Sequence, residues 1–210
     1  GLGDEVKTAA FANPNISEAR NRGIALASGE ILAFIDDDAV PEPTWLTHLT
    51  APFAEPEVAA VGGFVIGRNG ISFQWKAQSV DHPGIATPLA VDETKPTILT
   101  PPPGRAIKTE GTNMGFRRSV LAQHGGFDPA YRFYLDETDL NMRLARAGRI
   151  TAISPMAQVH HAFAPSARRT AARAPKDLFE IGASLAVYLR RHCPAEQHDA
   201  VIADMLEERD

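Results

Sequence analysis

The segment that most constrains the fold of this chain is residues 31–41, which read ILAFIDDDAVP. A short apolar run with isoleucine at both ends is typical of a β-strand buried on both faces, as in a parallel sheet. Asp36, Asp37 and Asp38 follow at the carboxyl end of that strand, which is the edge where ligands bind in open α/β sheets. Adjacent carboxylates repel one another, so they persist in water or where a divalent cation and a polyol neutralise and hydrogen-bond them. A solvated acidic turn and a ligand site are therefore both open on these residues alone.

Length and composition narrow the classes of protein. The chain has 210 residues, which fits one domain or one domain with an appendage, and its 44% apolar content supports a substantial core. A net charge of −5 provides no general field for nucleic acid. The single cysteine, Cys193, excludes an internal disulfide framework. No apolar run is long enough to predict a membrane span. The sequence opens with GLGDEVKTAA and no initiator methionine, so we expect a fragment whose amino-terminal part is missing.

The residues around the acidic segment predict alternating helices and strands. Ser17 as N-cap and Gly29 as terminator predict a helix over residues 17–28, and a short strand is expected near residues 6–10. A second helix begins near Pro43, with an apolar stripe made of Trp45, Leu46, Leu49 and Phe53. Residues 58–66, VAAVGGFVI, predict another buried strand, in which two glycines mark a bulge or a close backbone approach. This order favours an α/β layered fold.

Residues 67–109 differ from the rest of the chain. They are rich in proline, including three consecutive prolines at 101–103, and their periodicity is weak. We predict an irregular insertion across the mouth of the site, with a short helix over residues 72–80, because loops of this length are usually functional or disordered.

Order returns after residue 110. A glycine-flanked loop leads into a short strand and a helix over residues 119–124, and the next helix begins near Asp136. Asp136, Glu137 and Asp139 fall in its first turn, where the helix dipole favours negative charge without any catalytic role; Asp139 is expected to cap the helix or to pair with Arg143. A strand over residues 150–153 with a turn at residues 154–155, a helix over residues 168–191 and an acidic helix over residues 195–209 complete the prediction.

Three separated segments resemble one family, the inverting glycosyltransferases of family 2, which have the GT-A fold. The segments are residues 18–46, residues 110–131, and residues 134–150 followed by VHH at 159–161. The resemblance implies an α/β fold with a Rossmann-like, mixed and mostly parallel sheet, flanking helices and a C-terminal helical extension. Residues 1–165 would form the GT-A domain and residues 166–210 the extension. The family's initial strand–helix–strand unit, which holds the base and ribose of the nucleotide, has no counterpart here, so the domain is expected to be incomplete at its amino terminus.

The resemblance also implies a reaction, in which a sugar moves from a nucleotide diphosphate sugar to an acceptor hydroxyl with inversion at the anomeric carbon. A bound Mn²⁺ or Mg²⁺ would stabilise the leaving diphosphate. Asp38 is the first choice of metal ligand, and His161 is preferred to His160 as a second. Asp36 would hold the ribose or an outer-sphere water, and Asp37 could do either or point away.

The remaining roles concern the acceptor and the diphosphate. The family usually has Glu-Asp where this chain has Asp136-Glu137, and its second residue is the general base, so Glu137 is the expected base and Asp136 the alternative. Arg20 would contact the diphosphate, because a guanidinium suits phosphate geometry. The residues expected to line the acceptor or phosphate side are Gly111, Thr112 and Asn113.

Other functions remain open at this level. A Mg²⁺-dependent phosphotransferase or nucleotidyltransferase also uses paired aspartates at a strand end, but the glycine loop or the second acidic pair beside a lysine that it requires is absent from the sequence. A non-catalytic glycan-binding or scaffold domain of the same fold is the other alternative.

The expected partners are a donor of the UDP, GDP or dTDP type and a glycan or lipid-linked acceptor, as in the synthesis of cell-envelope polysaccharide; no nucleic acid is expected. The expected location is cytoplasmic. A basic cluster, made of Arg168, Arg169, Arg173 and Lys176, offers either peripheral contact with a membrane or a solvated helix face.

Overall fold

The computed structural model describes residues 6–162 and 176–207. Three residues of the basic cluster, Arg168, Arg169 and Arg173, lie outside these ranges, as does the start of the helix predicted from residue 168. Residues 6–10 are described and form no strand, contrary to the prediction. Among the described residues, no helix is long and apolar enough to cross a membrane.

Helices and strands alternate through the described ranges. The helices are α1 (Ile16–Leu26), α2 (Trp45–Thr50), α3 (Arg118–Gln123), α4 (Asp136–Arg146), α5 (Phe179–His192) and α6 (His198–Glu207). The strands of the main sheet are β1 (Ile31–Ile35), β2 (Ala39–Pro41), β3 (Val58–Ile66), β4 (Phe73–Trp75), β7 (Thr97–Leu99), β9 (Asn113–Arg117) and β10 (Ile150–His161). A smaller sheet contains β5 (Gln78–Asp81), β6 (Ala86–Pro88) and β8 (Arg105–Lys108).

The main sheet is mixed, as predicted, and is built on β3 and β10. Its order is β1-β9-β3-β10-β2, with β4 added to β3 and β7 added to β10. All nine residues of β3 are buried, which agrees with the strand predicted over residues 58–66. Of the described pairings in this sheet, β3 with β10 is parallel and the other five are antiparallel, so the described sheet is mostly antiparallel and not mostly parallel as predicted. β4 is short and returns beside β3 without a helical crossover, and such a connection produces an antiparallel pair.

Strand β1 differs from its prediction. It was expected to be buried on both faces of a parallel sheet, but β9, its described neighbour, runs antiparallel to it. Leu32 is buried in a cluster with Met114 and Phe116, whereas Ile35 is 37% exposed. β1 ends the described strand order, and of its five residues Leu32 alone is buried.

Helix α1 begins earlier than predicted and has a different cap. The side chain of Asn15 accepts a hydrogen bond from the amide of Glu18 at 3.1 Å, which satisfies an N–H group that the helix itself leaves unpaired. Ser17, the predicted cap, is the second residue of the helix; it is buried, and its hydroxyl donates to the carbonyl oxygen of Tyr131 at 2.6 Å. In α2, Leu46 is exposed rather than part of the buried stripe.

Residues 72–80 form β4 and β5 rather than the predicted helix. Phe73 and Trp75 lie two residues apart, the period of a strand, and Trp75 is buried in the core beside β3. The strand predicted at residues 150–153 is also longer than expected. β10 continues to His161 through an irregularity between Ser154 and Gln158, which accommodates Pro155 in place of the predicted turn.

The helix that carries the first-turn carboxylates, α4, packs between the small sheet and the C-terminal helices. A buried cluster joins residues from all three parts: Val80, Ala106, Tyr131, Leu135, Met142, Leu185, Tyr188, Leu189, Cys193 and Val201. The start of α4 is therefore fixed by packing on two sides.

Candidate active site

The first part of the site is the acidic turn after β1. The amide of Ala39 donates to the carbonyl oxygen of Asp36 at 3.1 Å and closes the turn. β2 then pairs antiparallel with the end of β10, in a register that places His161 opposite Ala39. Nε2 of His161 consequently lies 3.1 Å from Oδ1 of Asp38. Residues more than 120 positions apart thus meet because of strand register.

Asp36, Asp38 and His161 form a group that fits a divalent cation. One ligand atom from each lies within 4.8 Å of the others. Metal–oxygen distances of about 2.1 Å place two ligands of one cation at most about 4.2 Å apart, so a small inward movement completes the geometry. Mixed carboxylate and imidazole donors suit Mn²⁺ better than Ca²⁺. His160 points to a different partner, Oε1 of Glu42 at 2.6 Å, which agrees with the preference for His161.

The other two acidic residues of the turn have different surroundings. Asp37 is exposed and is not a member of the cluster. Asp36 accepts a hydrogen bond from the hydroxyl of Thr112 at 2.7 Å. Thr112 is buried, so its hydroxyl fixes the orientation of the Asp36 carboxylate from below.

Arg20, on α1, connects the cluster of Asp36, Asp38 and His161 to a second group of carboxylates. Its guanidinium forms an ion pair with Asp136, lies 3.8 Å from Asp36 and donates to the carbonyl oxygen of Gly111 at 3.3 Å. It also stacks over the ring of Phe127 at 5.2 Å. Arg20 was expected to contact the diphosphate, and in the structure its guanidinium lies between the carboxylates of Asp36 and Asp136.

Asp136 is the more deeply buried of the two candidate bases. Leu135, directly before it, has a φ of 64°, and it is the one non-glycine residue with positive φ in the described chain. Such left-handed conformations are strained and cluster at functional sites. Burial raises the pKa of Asp136 to about 7, the adjacent Glu137 adds to the rise, and Arg20 opposes it.

Glu137 lies against a lysine that the sequence did not identify. Nζ of Lys108, on β8, is 3.2 Å from Glu137 and 2.9 Å from Glu110. Burial acts to raise the pKa of Glu137, but the charges of Lys108 and Arg20 outweigh it and hold that pKa below its ordinary value. The glutamate side chain is also more accessible than that of Asp136, with 14% against 3% exposed. Glu137 is therefore an ionised carboxylate that is partly open to solvent.

The prediction for the side chain of Asn113 is wrong. This residue is fully buried, and its amide donates to the carbonyl oxygens of Phe64 at 2.9 Å and Ala157 at 2.7 Å. Its Oδ1 accepts from the indole N–H of Trp45 at 2.8 Å. These three bonds join β9 to β3, β10 and α2. A Cβ at Gly63 would collide with this amide, which explains the close approach predicted there.

Asp139 pairs with Arg143, as predicted, at 2.8 Å. The structure adds three further contacts to its carboxylate: His192 at 2.8 Å, the hydroxyl of Tyr131 at 3.2 Å and Arg191 at 3.2 Å. Burial opposes ionisation, but His192 and Arg143 lower the pKa of Asp139 to about 2. Asp139 therefore fixes α4 against α5 and does not face the site.

Comparison with known proteins gives a consistent match. The family model described as Glycosyl transferase family 2 matches residues 5–125. The glucosyl-dolichyl phosphate glucuronosyltransferase of Haloferax volcanii is 30% identical over 125 residues, which are 55% of this chain and 35% of that protein. The pre-mycofactocin glycosyltransferase of Mycobacterium tuberculosis is 29% identical over 148 residues, which are 68% of this chain and 29% of that protein. The chain thus spans about a third of the length of these relatives.

A solved structure supports the fold. GalNAc-T7, solved with UDP, GalNAc and Mn²⁺, superposes with a TM-score of 0.54 at 16% identity, over 70% of this chain and 30% of that one. At this identity the similarity establishes the fold, which is the GT-A fold predicted from the sequence.

Proposed function

Because the chain belongs to glycosyl transferase family 2, we propose that it transfers a sugar from a nucleotide diphosphate sugar to an acceptor hydroxyl, with inversion at the anomeric carbon and with a bound divalent cation. The observation that carries this proposal is the pairing of two carboxylate groups through Arg20. One group contains Asp36 and Asp38, which together with His161 form a donor set that fits a metal ion. The other contains Glu137, an ionised carboxylate that is partly open to solvent.

The residues that would hold Mn²⁺ or Mg²⁺ are Asp38, His161 and Asp36. When bound there, the cation supplies a Lewis acid for the leaving diphosphate. Asp36 was expected on the ribose, but its oxygen lies with the other two ligand atoms, so we assign it to the cation. The guanidinium of Arg20 lies between Asp36 and Asp136 and fixes their relative positions. The diphosphate contact proposed for Arg20 would use the edge of the guanidinium that faces Asp36, Asp38 and His161.

Glu137 is the proposed general base. Lys108 keeps it ionised, so its carboxylate can accept the proton of the acceptor hydroxyl as the oxygen attacks the anomeric carbon. The bond to the nucleoside diphosphate breaks on the opposite face, and this single displacement inverts the configuration. Asp136 is buried and paired with Arg20, so it is the less accessible candidate and serves to fix Arg20.

The proposed acceptor is a glycan or a lipid-linked sugar. This proposal takes its support from the relatives, since the name of the Haloferax volcanii protein includes a glucosyl-dolichyl phosphate. The O-antigen biosynthesis protein RfbC of Myxococcus xanthus is 28% identical over 70% of this chain and 12% of its own length. The proposed donors are UDP, GDP or dTDP sugars.

The test is calorimetric titration of the chain with UDP, GDP and dTDP, each with and without Mn²⁺. We expect one nucleotide to bind, and to bind more tightly with Mn²⁺. Asp38→Asn should remove the metal-dependent part of that affinity. Asp37→Asn is the matched control, because it removes the same charge from the same turn outside the cluster, and it should bind as the wild type does.

Two results would contradict the proposal. If none of the three nucleotides binds with Mn²⁺ present, either to this chain or to a version extended at its amino terminus, a non-catalytic domain of the same fold would be favoured. An equal loss of affinity in Asp38→Asn with a chelator present would mean that Asp38 supports the structure of the turn and not a cation.

A further inference from the structure

The main sheet contains a bulge beside the cluster of Asp36, Asp38 and His161. β4 pairs with the end of β3, and Val65 lies opposite Trp75 while the next residue, Ile66, lies opposite Phe73. Gln74 is therefore the extra residue on the β4 side. A bulge of this kind leaves one residue outside the ladder and re-aims its side chain, and bulges are frequent next to active sites.

The re-aimed side chain of Gln74 reaches the imidazole of His161. Oε1 of Gln74 lies 3.2 Å from Nδ1 of His161, on the opposite side of the ring from Asp38. The residues on either side of the bulge are anchored, since Trp75 is buried and the ring of Phe73 packs edge-to-face on Phe64 at 5.3 Å. The position of Gln74 is thus set by the sheet and not by a flexible loop.

A histidine that binds a cation through one ring nitrogen must carry its proton on the other. The group that accepts this proton in a hydrogen bond fixes both the tautomer and the orientation of the ring. The amide oxygen of glutamine is an acceptor and is neutral, so it can hold an N–H group at Nδ1 without itself being charged.

We propose that Gln74 is a positioning residue, which holds His161 in the Nδ1–H tautomer and thereby presents the lone pair of Nε2 to the divalent cation. This inference rests on the proposed metal site and adds a residue to it. Gln74 touches neither substrate nor cation and acts through His161. Its amide does for His161 what a carboxylate often does for metal-bound histidines, without adding a third negative charge to those of Asp36 and Asp38.

The experiment compares the wild type with Gln74→Leu, Gln74→Glu and Gln123→Leu. Gln123 is exposed on α3, so its replacement controls for the loss of a glutamine amide elsewhere. Titration calorimetry with Mn²⁺ alone measures affinity. Long-range ¹H–¹⁵N NMR of the metal-free protein reports which ring nitrogen carries the proton before a cation binds, with the His161 signal assigned by its loss in His161→Gln.

We expect Gln74→Leu to weaken Mn²⁺ affinity by about 10- to 100-fold, the usual effect of losing such a partner, and to mix the two tautomers of His161. Gln74→Glu should keep both the Mn²⁺ affinity and the single tautomer of His161, because a carboxylate oxygen accepts the same hydrogen bond. Gln123→Leu should match the wild type.

The outcomes separate this inference from the proposed function. If the wild type binds Mn²⁺ and Gln74→Leu changes neither the affinity nor the tautomer of His161, the role of Gln74 is overturned and the metal site stands. Absence of Mn²⁺ binding in the wild type would overturn the metal site itself, and the inference with it.

Discussion

Replacement of Asp139 by Asn tests the buried charge network that fixes the helix of the proposed base. The carboxylate is fully buried and contacts two arginines, a histidine and a tyrosine hydroxyl. Asparagine keeps the shape and part of the hydrogen bonding, so the substitution removes mainly the charge. Arg143 would keep its bonds to the carbonyl oxygens of His124 and Gly126, which limits the damage to one side of the network.

The size of the effect follows from the pKa of Asp139. The folded protein lowers it from 3.8 to about 2, and each unit corresponds to about 1.4 kcal/mol. The ionised form therefore contributes roughly 2.5 kcal/mol to the free energy of unfolding at neutral pH. Because the pKa is depressed in the folded state, this contribution is complete above pH 4 and is lost as the pH falls from about 4 to about 2.

The assay is urea unfolding followed by tryptophan fluorescence at several pH values from 7 to 3. We expect Asp139→Asn to lower the free energy of unfolding by about 2 to 3 kcal/mol at pH 7 and pH 5, and the difference from the wild type to narrow below pH 4. Asp204→Asn, on an exposed position of α6, is the control and should leave stability unchanged. A loss below about 0.5 kcal/mol at pH 7, the range of ordinary surface substitutions, would refute the reasoning. So would a difference of the same size at pH 3 and pH 7.

Two further substitutions address the sheet and the chemistry. Asn113→Ala removes two buried hydrogen bonds and a partly buried one, and it leaves the indole N–H of Trp45 without its partner. We therefore expect the free energy of unfolding in urea to fall by roughly 3 to 5 kcal/mol; a loss under about 1 kcal/mol, the net value of a single hydrogen bond, would mean that the centre of the sheet relaxes around the change. Glu137→Gln should lower the rate of sugar transfer by about 10²- to 10⁴-fold while the calorimetric affinity for nucleotide with Mn²⁺ stays unchanged, and retained turnover would pass the role of base to Asp136.

Features that depend on neighbouring residues were predictable from the sequence. The apolar run before three carboxylates predicted β1 and the acidic turn, and the nine apolar and glycine residues at 58–66 predicted β3 with its close approach at Gly63. The salt bridge between Asp139 and Arg143 was predictable for the same reason, because residues four apart on a helix face each other. In each case the signal lies within a few residues of the feature.

Features that depend on where separate elements meet could not be predicted in this way. Lys108 reaches Glu137 because β8 packs against the start of α4, and no local pattern marks that lysine. Gln74 lies in a segment whose weak periodicity suggested a helix, and its role depends on a bulge that only the pairing of β4 with β3 creates.

Asp139 shows both cases in one residue. Its bond to Arg143 follows from helical spacing, whereas its bond to His192, 53 residues further along the chain, exists only because α5 packs on α4. The resemblance to family 2, which is carried by short local segments, was enough to propose the carboxylates and the histidine of the site. Their partners, their burial and the direction of their pKa shifts were decided by tertiary packing, because the electrostatic environment of a side chain is made by whichever elements enclose it.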